Sequence, residues 1–216
     1  MSTPGAPDDR LRSSHVTSIP PLTGHTVQLY EHDEALLAGL ERLLDFAITA
    51  GDALVVIATE AHRVDLLERM QAKETAPPGH CTFLDAREML SRFMRWGQPD
   101  RGLFQQVVGG LVGAAVDAAA ARGHRVLAYG EMVALLWNEG NSAAAVQLER
   151  MWNELGESQP FYLHCAYPVA YFGGGGTARS IAAVCGEHSR VIPSEQFVPR
   201  AVPPNRANHV LSHPVP

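Results

Sequence analysis

The sequence predicts a three-layer α/β domain, a mostly parallel sheet with helices on both faces. Short apolar runs alternate with longer stretches of helical periodicity, the pattern of strands joined by helical crossovers. The run ALVVIAT (53–59) is apolar almost throughout, as a strand covered on both faces must be. A length of 216 residues with 46% hydrophobic content fits one domain with a sizeable core rather than two.

The elements follow in order. HTVQLY (25–30) reads as a strand, and Glu34 to Ala50 as a helix with Leu36, Leu37, Leu40, Leu44 and Ile48 at helical spacing, ended by Gly51. After the strand 53–59 come a helix over 60–72, a Pro-Pro-Gly turn, the strand CTFLDA (81–86) and a helix over 87–95. A long helix over 101–122 closes at Gly123, and the strand RVLAYG (125–130) leads into a short helix, EMVALLWNE, stopped by Gly140. Asn141 or Ser142 caps the next helix, 143–155. The strand FYLHCAYP (161–168) ends at Pro168, followed by a Gly-rich loop and a helix near 177–187. Residues 1–24 and 194–216 hold nine of the fifteen prolines and no apolar periodicity, so both are expected to be mobile tails around a folded unit of 25–193.

Composition excludes several functions. A net charge of −6 offers no basic field for gathering the phosphates of DNA or RNA. The basic residues are sixteen arginines and a single lysine, Lys73, which no glycine loop precedes, so no Walker A site exists. The apolar stretch Leu103 to Ala121 is interrupted by Gln105, Gln106 and Asp117 and rich in Ala and Gly, and reads as a buried helix of a soluble protein. The N-terminus has acidic residues and no apolar core of a secretory signal. Cys81, Cys165 and Cys185, an odd number without CxxC spacing, fit reduced thiols in a cytoplasm.

In parallel sheets ligands bind at the carboxyl ends of strands. Those ends supply Tyr30, Glu31 and His32, then Thr59 and Glu60, then Gly130 and Glu131, then Cys165, Tyr167 and Pro168, which are expected to converge on one rim. Glu131 follows a buried strand where RecA-type hydrolases keep a water-activating carboxylate, although a Glu there also suits the dipole of the next helix. On helix 143–155, Glu149, Trp152 and Asn153 share a face and, with Trp137, could line an amphipathic pocket or simply pack a helical hairpin. Cys185 and His188 form C-x-x-H, to which His25, His164 and Cys165 could be added, but no second metal-ligand spacing supports a metal site and none is expected. A nucleophilic Cys165 would need a depressed pKa among apolar neighbours. Gly173–Gly176 reads as a flexible connection rather than a phosphate loop.

The segments HTVQLYEHDE, FAITAGDALVVIATEAHR, FMRWGQPDRGLF, YGEMVALLWNEGNSAAAVQLERMWNEL, FYLHCAYP and CGEHSRVIP resemble the MEDS domain, the sensory domain of methanogens, methylotrophs and the regulator DcmR. The resemblance spans 25–193 and implies a distant, degenerate likeness to KaiC and RecA-type ATPase folds without Walker A, with Glu131 at the position of an ATPase carboxylate. It carries to His25, Tyr30, Glu131, Trp137, Glu149, Trp152, Asn153, Cys165, Tyr167 and His188 as candidate ligand-binding residues.

What the resemblance implies is a non-catalytic, cytoplasmic module that senses a small, hydrocarbon-derived organic ligand without a cofactor. Such domains are often fused to histidine kinases or DNA-binding regulators. With no room for either here, output is expected through a separate signalling protein, a histidine kinase or a transcriptional or anti-sigma-type regulator, with no direct nucleic-acid or membrane contact. The alternatives are a ligand-independent interaction module and, lowest, an enzyme: a nucleotide hydrolase using Glu131 or a thiol catalyst using Cys165.

Overall fold

The computed structural model describes residues 24–73, 80–172 and 177–193. The expected tails, the Pro-Pro-Gly turn and the Gly173–Gly176 loop lie outside these described residues.

The chain opens with β1 (His25–Tyr30), α1 (Asp33–Thr49), β2 (Ala53–Ala58), α2 (Glu60–Ala72), β3 (Cys81–Asp85) and α3 (Ala86–Phe93). A small hairpin, β4 (Met94–Arg95) and β5 (Gln98–Pro99), precedes a helix built from α4 (Arg101–Phe104), a π-helical turn (Gln105–Gly109) and α5 (Gly110–Ala120). The rest is β6 (Val126–Gly130), α6 (Met132–Asn138), α7 (Ser142–Ser158), β7 (Tyr162–Pro168), a 3-10 turn (Val169–Phe172), α8 (Thr177–Gly186) and β8 (Arg190–Ile192).

Six strands form one parallel sheet in the order β3-β2-β6-β7-β1-β8, so the domain is a three-layer α/β fold. Strand alternation sorts side chains onto two faces. On one, α1 and α2 set Leu36, Leu40, Leu44, Leu66 and Met70 against Leu54, Val56, Tyr129 and Tyr162. On the other, α3 and the helices after it set Phe93, Phe104, Val112, Leu148 and Trp152 against Val55, Ile57, Ala128 and Cys165. Phe104 makes edge contacts with both Phe93 and Trp152, with ring centroids 5.4 Å apart in each pair.

The topology fixes where ligand chemistry can sit. Neighbouring β2 and β6 send the chain to opposite faces, through α2 and α6, and so do neighbouring β1 and β7, through α1 and the 3-10 turn. Two crevices therefore open at the carboxyl rim, with the β6 and β7 ends between them.

The structure departs from the expected elements in three places. The helix expected over 87–95 stops at Phe93, because Trp96 and Gly97 both take positive φ, 54° and 77°, and close a two-residue hairpin. The apolar helix 101–120 is not buried all round: Phe104, Val108, Val112 and Ala119 face the core, while Gly110, Ala114 and Ala118 face outward. It is the one helix among the described residues long and apolar enough to cross a membrane by length and composition. β8 was not foreseen, since three residues leave no periodicity to read.

Phe93→Ala should cost about 3–5 kcal/mol of stability in urea denaturation, whereas Val64→Ala, on an exposed face of α2, should change it by less than about 0.5 kcal/mol.

Candidate functional site

Two clusters of buried ionisable groups stand out, one beneath α7 and one at the carboxyl rim, while His164 and Asp52 are buried apart from both. β1 and β7 are parallel neighbours, and His25 and Cys165 point to the α7 side of the sheet, as Val27, Leu163 and Tyr167 do. The capped helix α7, whose Asn141 side chain accepts from Ala144 N, lays Glu149 and, one turn on, Asn153 over them. His188, just after α8, closes the group from the side, its ring centroid 4.0 Å from that of His25.

His25 Nε2 lies 3.3 Å from Cys165 Sγ and 3.3 Å from Glu149 Oε2. His188 Nε2 lies 3.6 Å from Glu149 Oε1, to which the Tyr167 hydroxyl donates at 2.6 Å. Both Glu149 and Cys165 are fully buried. Four potential metal-ligating atoms, one each from His25, Glu149, Cys165 and His188, all lie within 4.8 Å of one another.

Desolvation keeps every member uncharged. Burial lowers His25 to about 3, helped by the neighbouring His188, and lowers His188 itself to about 4. Burial raises Glu149 to about 8, against the hydrogen bonds from Tyr167 and Cys165, and pushes the Cys165 thiol well up. Cys165, His25 and Asn153 stand in the order of a thiol-hydrolase relay, since His25 Nδ1 meets Asn153 Oδ1 at 2.8 Å. A sulfur buried beside a carboxyl group is, however, held as a thiol, the opposite of what nucleophilic attack needs.

The rim cluster is built around Glu131, which is also buried. Its Oε2 accepts from Thr59 N at 2.6 Å, at the start of α2, where a helix favours negative charge. Its Oε1 accepts from Tyr129 OH at 2.6 Å and from His62 Nδ1 at 2.5 Å. His62 is raised above its ordinary value, first by the Glu131 hydrogen bond, and its Nε2 lies 3.5 Å from Asp33. Tyr30 and Tyr171 border the cluster; both phenols are raised by burial and by the field of Glu131 and Asp33. Glu131 precedes α6 but makes no side-chain cap there; its carboxylate reaches across to α2 instead.

Of the ten candidate residues, His25, Glu149, Asn153, Cys165, Tyr167 and His188 meet beneath α7, and Tyr30 and Glu131 meet at the rim. The single rim expected from the strand ends is therefore two places, because Cys165 sits mid-strand opposite Gly130 and Val27 rather than at the end of β7. Trp152 shares an edge of α7 with Glu149 but packs into the apolar core against Phe104 and Phe161, with its indole nitrogen unpaired. Trp137 joins Tyr167 and Phe172 in an aromatic group at the end of β7, and its indole N–H donates to the Tyr171 carbonyl at 3.2 Å. His188 belongs to the His25 group, which includes neither Cys185 nor His164. His164 faces the other side of the sheet, bonded to Thr26 at 2.9 Å and Gln28 at 3.2 Å. His62 was missed: it lies on a polar stretch of helix, and only the fold brings it to Glu131.

Fold and clusters together define a parallel α/β domain with buried ionisable groups collected beneath α7 and at the carboxyl rim of its sheet. The MEDS domain, the methanogen/methylotroph, DcmR sensory domain, matches residues 24–188, and the chain belongs to this family. No curated protein matches the chain.

Glu131→Gln should lower the His62 pKa toward its ordinary 6.5, read by NMR titration of the ring protons. The raised His62 stabilises the fold fully below pH 6.5, and this contribution is lost as pH rises through its folded value, so the variant should flatten that alkaline loss. His164 is lowered to about 4 by burial and by His25, so the unfolded chain takes up its proton first. Stability should fall by up to about 3 kcal/mol between pH 6.5 and 4 on this account, and His164→Gln should reduce the slope of denaturation midpoint against pH there.

Proposed function

We propose that this sensory domain is a non-catalytic module of prokaryotic signal transduction that binds a small, hydrocarbon-derived organic molecule at the carboxyl end of β7 and signals through a separate partner, a histidine kinase or a transcriptional or anti-sigma-type regulator. The observation that carries this reading is the aromatic group Trp137, Tyr167 and Phe172 at that rim. Aromatic faces receive an apolar body, while the Tyr30 and Tyr171 hydroxyls, which feel the field of Glu131 and Asp33, orient a polar end. The Trp137 bond to the Tyr171 carbonyl holds the 3-10 turn over the group. A ligand that replaces this contact shifts the turn, and a switch requires just such a difference in affinity between two states.

Enzymatic readings draw less support. Glu131 already accepts three hydrogen bonds, Cys165 is held as a thiol, and the single lysine, Lys73, pairs with Glu41 and Asp45 at the end of α2.

Thermal shift of the full chain against short alcohols, aldehydes, halocarbons and organic acids tests the proposal. A binding compound at 100 times its Kd should add about 2.7 kcal/mol of stability. Trp137→Ala and Phe172→Ala should abolish that response; silence across the panel counts against a ligand.

One observation favours a ligand-independent interaction module as the second reading. Trp96, at the tip of the β4–β5 hairpin, is fully exposed, beside a surface cleft of about 250 Å³ lined by Arg87, Leu90, Met94, Leu135 and Glu139. Under that reading, Trp96→Ala weakens capture of a candidate kinase or regulator, and no compound changes the capture.

A further inference from the structure

The group beneath α7 has more order than a polar core requires. We propose that His25 Nε2, Glu149 Oε2, Cys165 Sγ and His188 Nε2 bind one divalent metal ion of the zinc class in a four-coordinate site. The inference goes beyond the sensory reading and does not depend on it.

The imidazole tautomers argue first. Asn153 Nδ2 donates to the Glu187 carbonyl at 2.9 Å, which fixes its Oδ1 as the atom facing His25 Nδ1. That nitrogen therefore carries the hydrogen, and His25 Nε2 presents a lone pair to the cluster. His188 Nδ1 faces the Val184 carbonyl at 2.7 Å, which can only accept, so its Nε2 is likewise a lone pair. The His188 side chain is fully buried and its Nε2 has no hydrogen-bond partner. That lone pair is turned into a closed group where Glu149 Oε1, 3.6 Å away, stands beyond hydrogen-bond reach, so hydrogen bonding alone leaves it unexplained.

Spacing argues second. Zinc bonds of about 2.0–2.3 Å at tetrahedral angles put ligand atoms roughly 3.3–3.7 Å apart. The cluster has His25 to Cys165 and His25 to Glu149 at 3.3 Å, and Cys165 to Glu149 at 3.8 Å. Outer partners argue third, since metal-ligating histidines and carboxylates are normally held from behind. Asn153 holds His25, the Val184 carbonyl holds His188, and Tyr167 takes Glu149 Oε1, leaving Oε2 for the ion.

Donor chemistry selects the metal. A thiolate with two imidazoles suits zinc and its softer neighbours, while magnesium and calcium want oxygen shells. As the ion binds, Cys165 and Glu149 each release one proton to water. The resulting thiolate and carboxylate neutralise the dication in the interior. Four ligands from β1, α7, β7 and the turn after α8 close the coordination sphere, so the ion would tie distant parts of the chain together.

The full-length chain is analysed for metal as purified, stripped with a chelator and titrated with Co²⁺ as the probe. One equivalent should bind, with ligand-field bands of tetrahedral intensity and a thiolate-to-cobalt charge-transfer band. Cys165→Ser should remove that band and Cys185→Ser should leave it. Tyr167→Phe, which keeps all four donors, should weaken binding 10- to 100-fold. Zinc re-addition should restore the thermal stability lost on stripping. Absence of uptake, an octahedral spectrum, or a charge-transfer band unchanged in Cys165→Ser overturns the proposal. If Cys165→Ser does not fold, equal Co²⁺ affinity in Tyr167→Phe, His188→Gln and the parent overturns it as well. No organic compound is present in these titrations, so their failure is separate from failure of the ligand panel.

Discussion

Everything beneath α7 follows from one carboxyl group placed where water does not reach. A buried Glu can be tolerated only if it keeps its proton or meets compensating charge. Glu149 meets three neutral groups, His25, Cys165 and His188, and a phenol hydroxyl, so it keeps its proton to about pH 8. That constraint sets the rotation of α7: with Glu149 turned inward, Asn153 falls onto His25, and Glu154 is left outside to pair with Arg101. The same rotation places Trp152 against Phe104 and anchors the helix by its apolar side.

The rim solves the opposite problem. There Glu131 sits at the start of α2 and faces His62, whose raised pKa makes a charged partner available, and the backbone N–H of Thr59 completes the carboxylate's shell. β7 contributes to both faces through strand alternation: Cys165 and Tyr167 go beneath α7, and His164 goes to the α1 and α2 side, stacked on Tyr129. A one-residue slip of this strand would exchange the two environments, exposing the core face to His164 and leaving Glu149 without its phenol. The β6–β7 and β1–β7 ladders therefore guard the chemistry as well as the fold.

Much of this was legible in the sequence because strands and helices of a parallel sheet carry different periods. The run 53–59 and the heptad-like leucines of α1 placed themselves to within a residue or so, and Gly51, Gly123 and Gly140 stop their helices with positive φ as expected. The β4–β5 hairpin was hidden because its turn puts Trp, rather than Asn or Asp, in a left-handed conformation. For the site, the spacing of Glu149 and Asn153 revealed a shared helix face, but nothing local tells that His25, 124 residues upstream of Glu149, will lie against it. The C-x-x-H spacing of Cys185 and His188 likewise does not tell which groups His188 meets, because neighbours in sequence are not the neighbours that a parallel sheet brings together. His62 shows the limit most clearly, since α2 alone offers no reason to single it out.

The chain has three tryptophans in three unlike settings: Trp152 sealed in the core, Trp137 hydrogen-bonded at the rim, and Trp96 standing wholly in solvent at a hairpin tip. Their emission should separate accordingly, with a red, readily quenched component from Trp96 and bluer, shielded light from the other two. Replacing Trp96 with Phe would leave a fluorescence signal confined to the interior, and intrinsic fluorescence would then report on the rim without any attached dye.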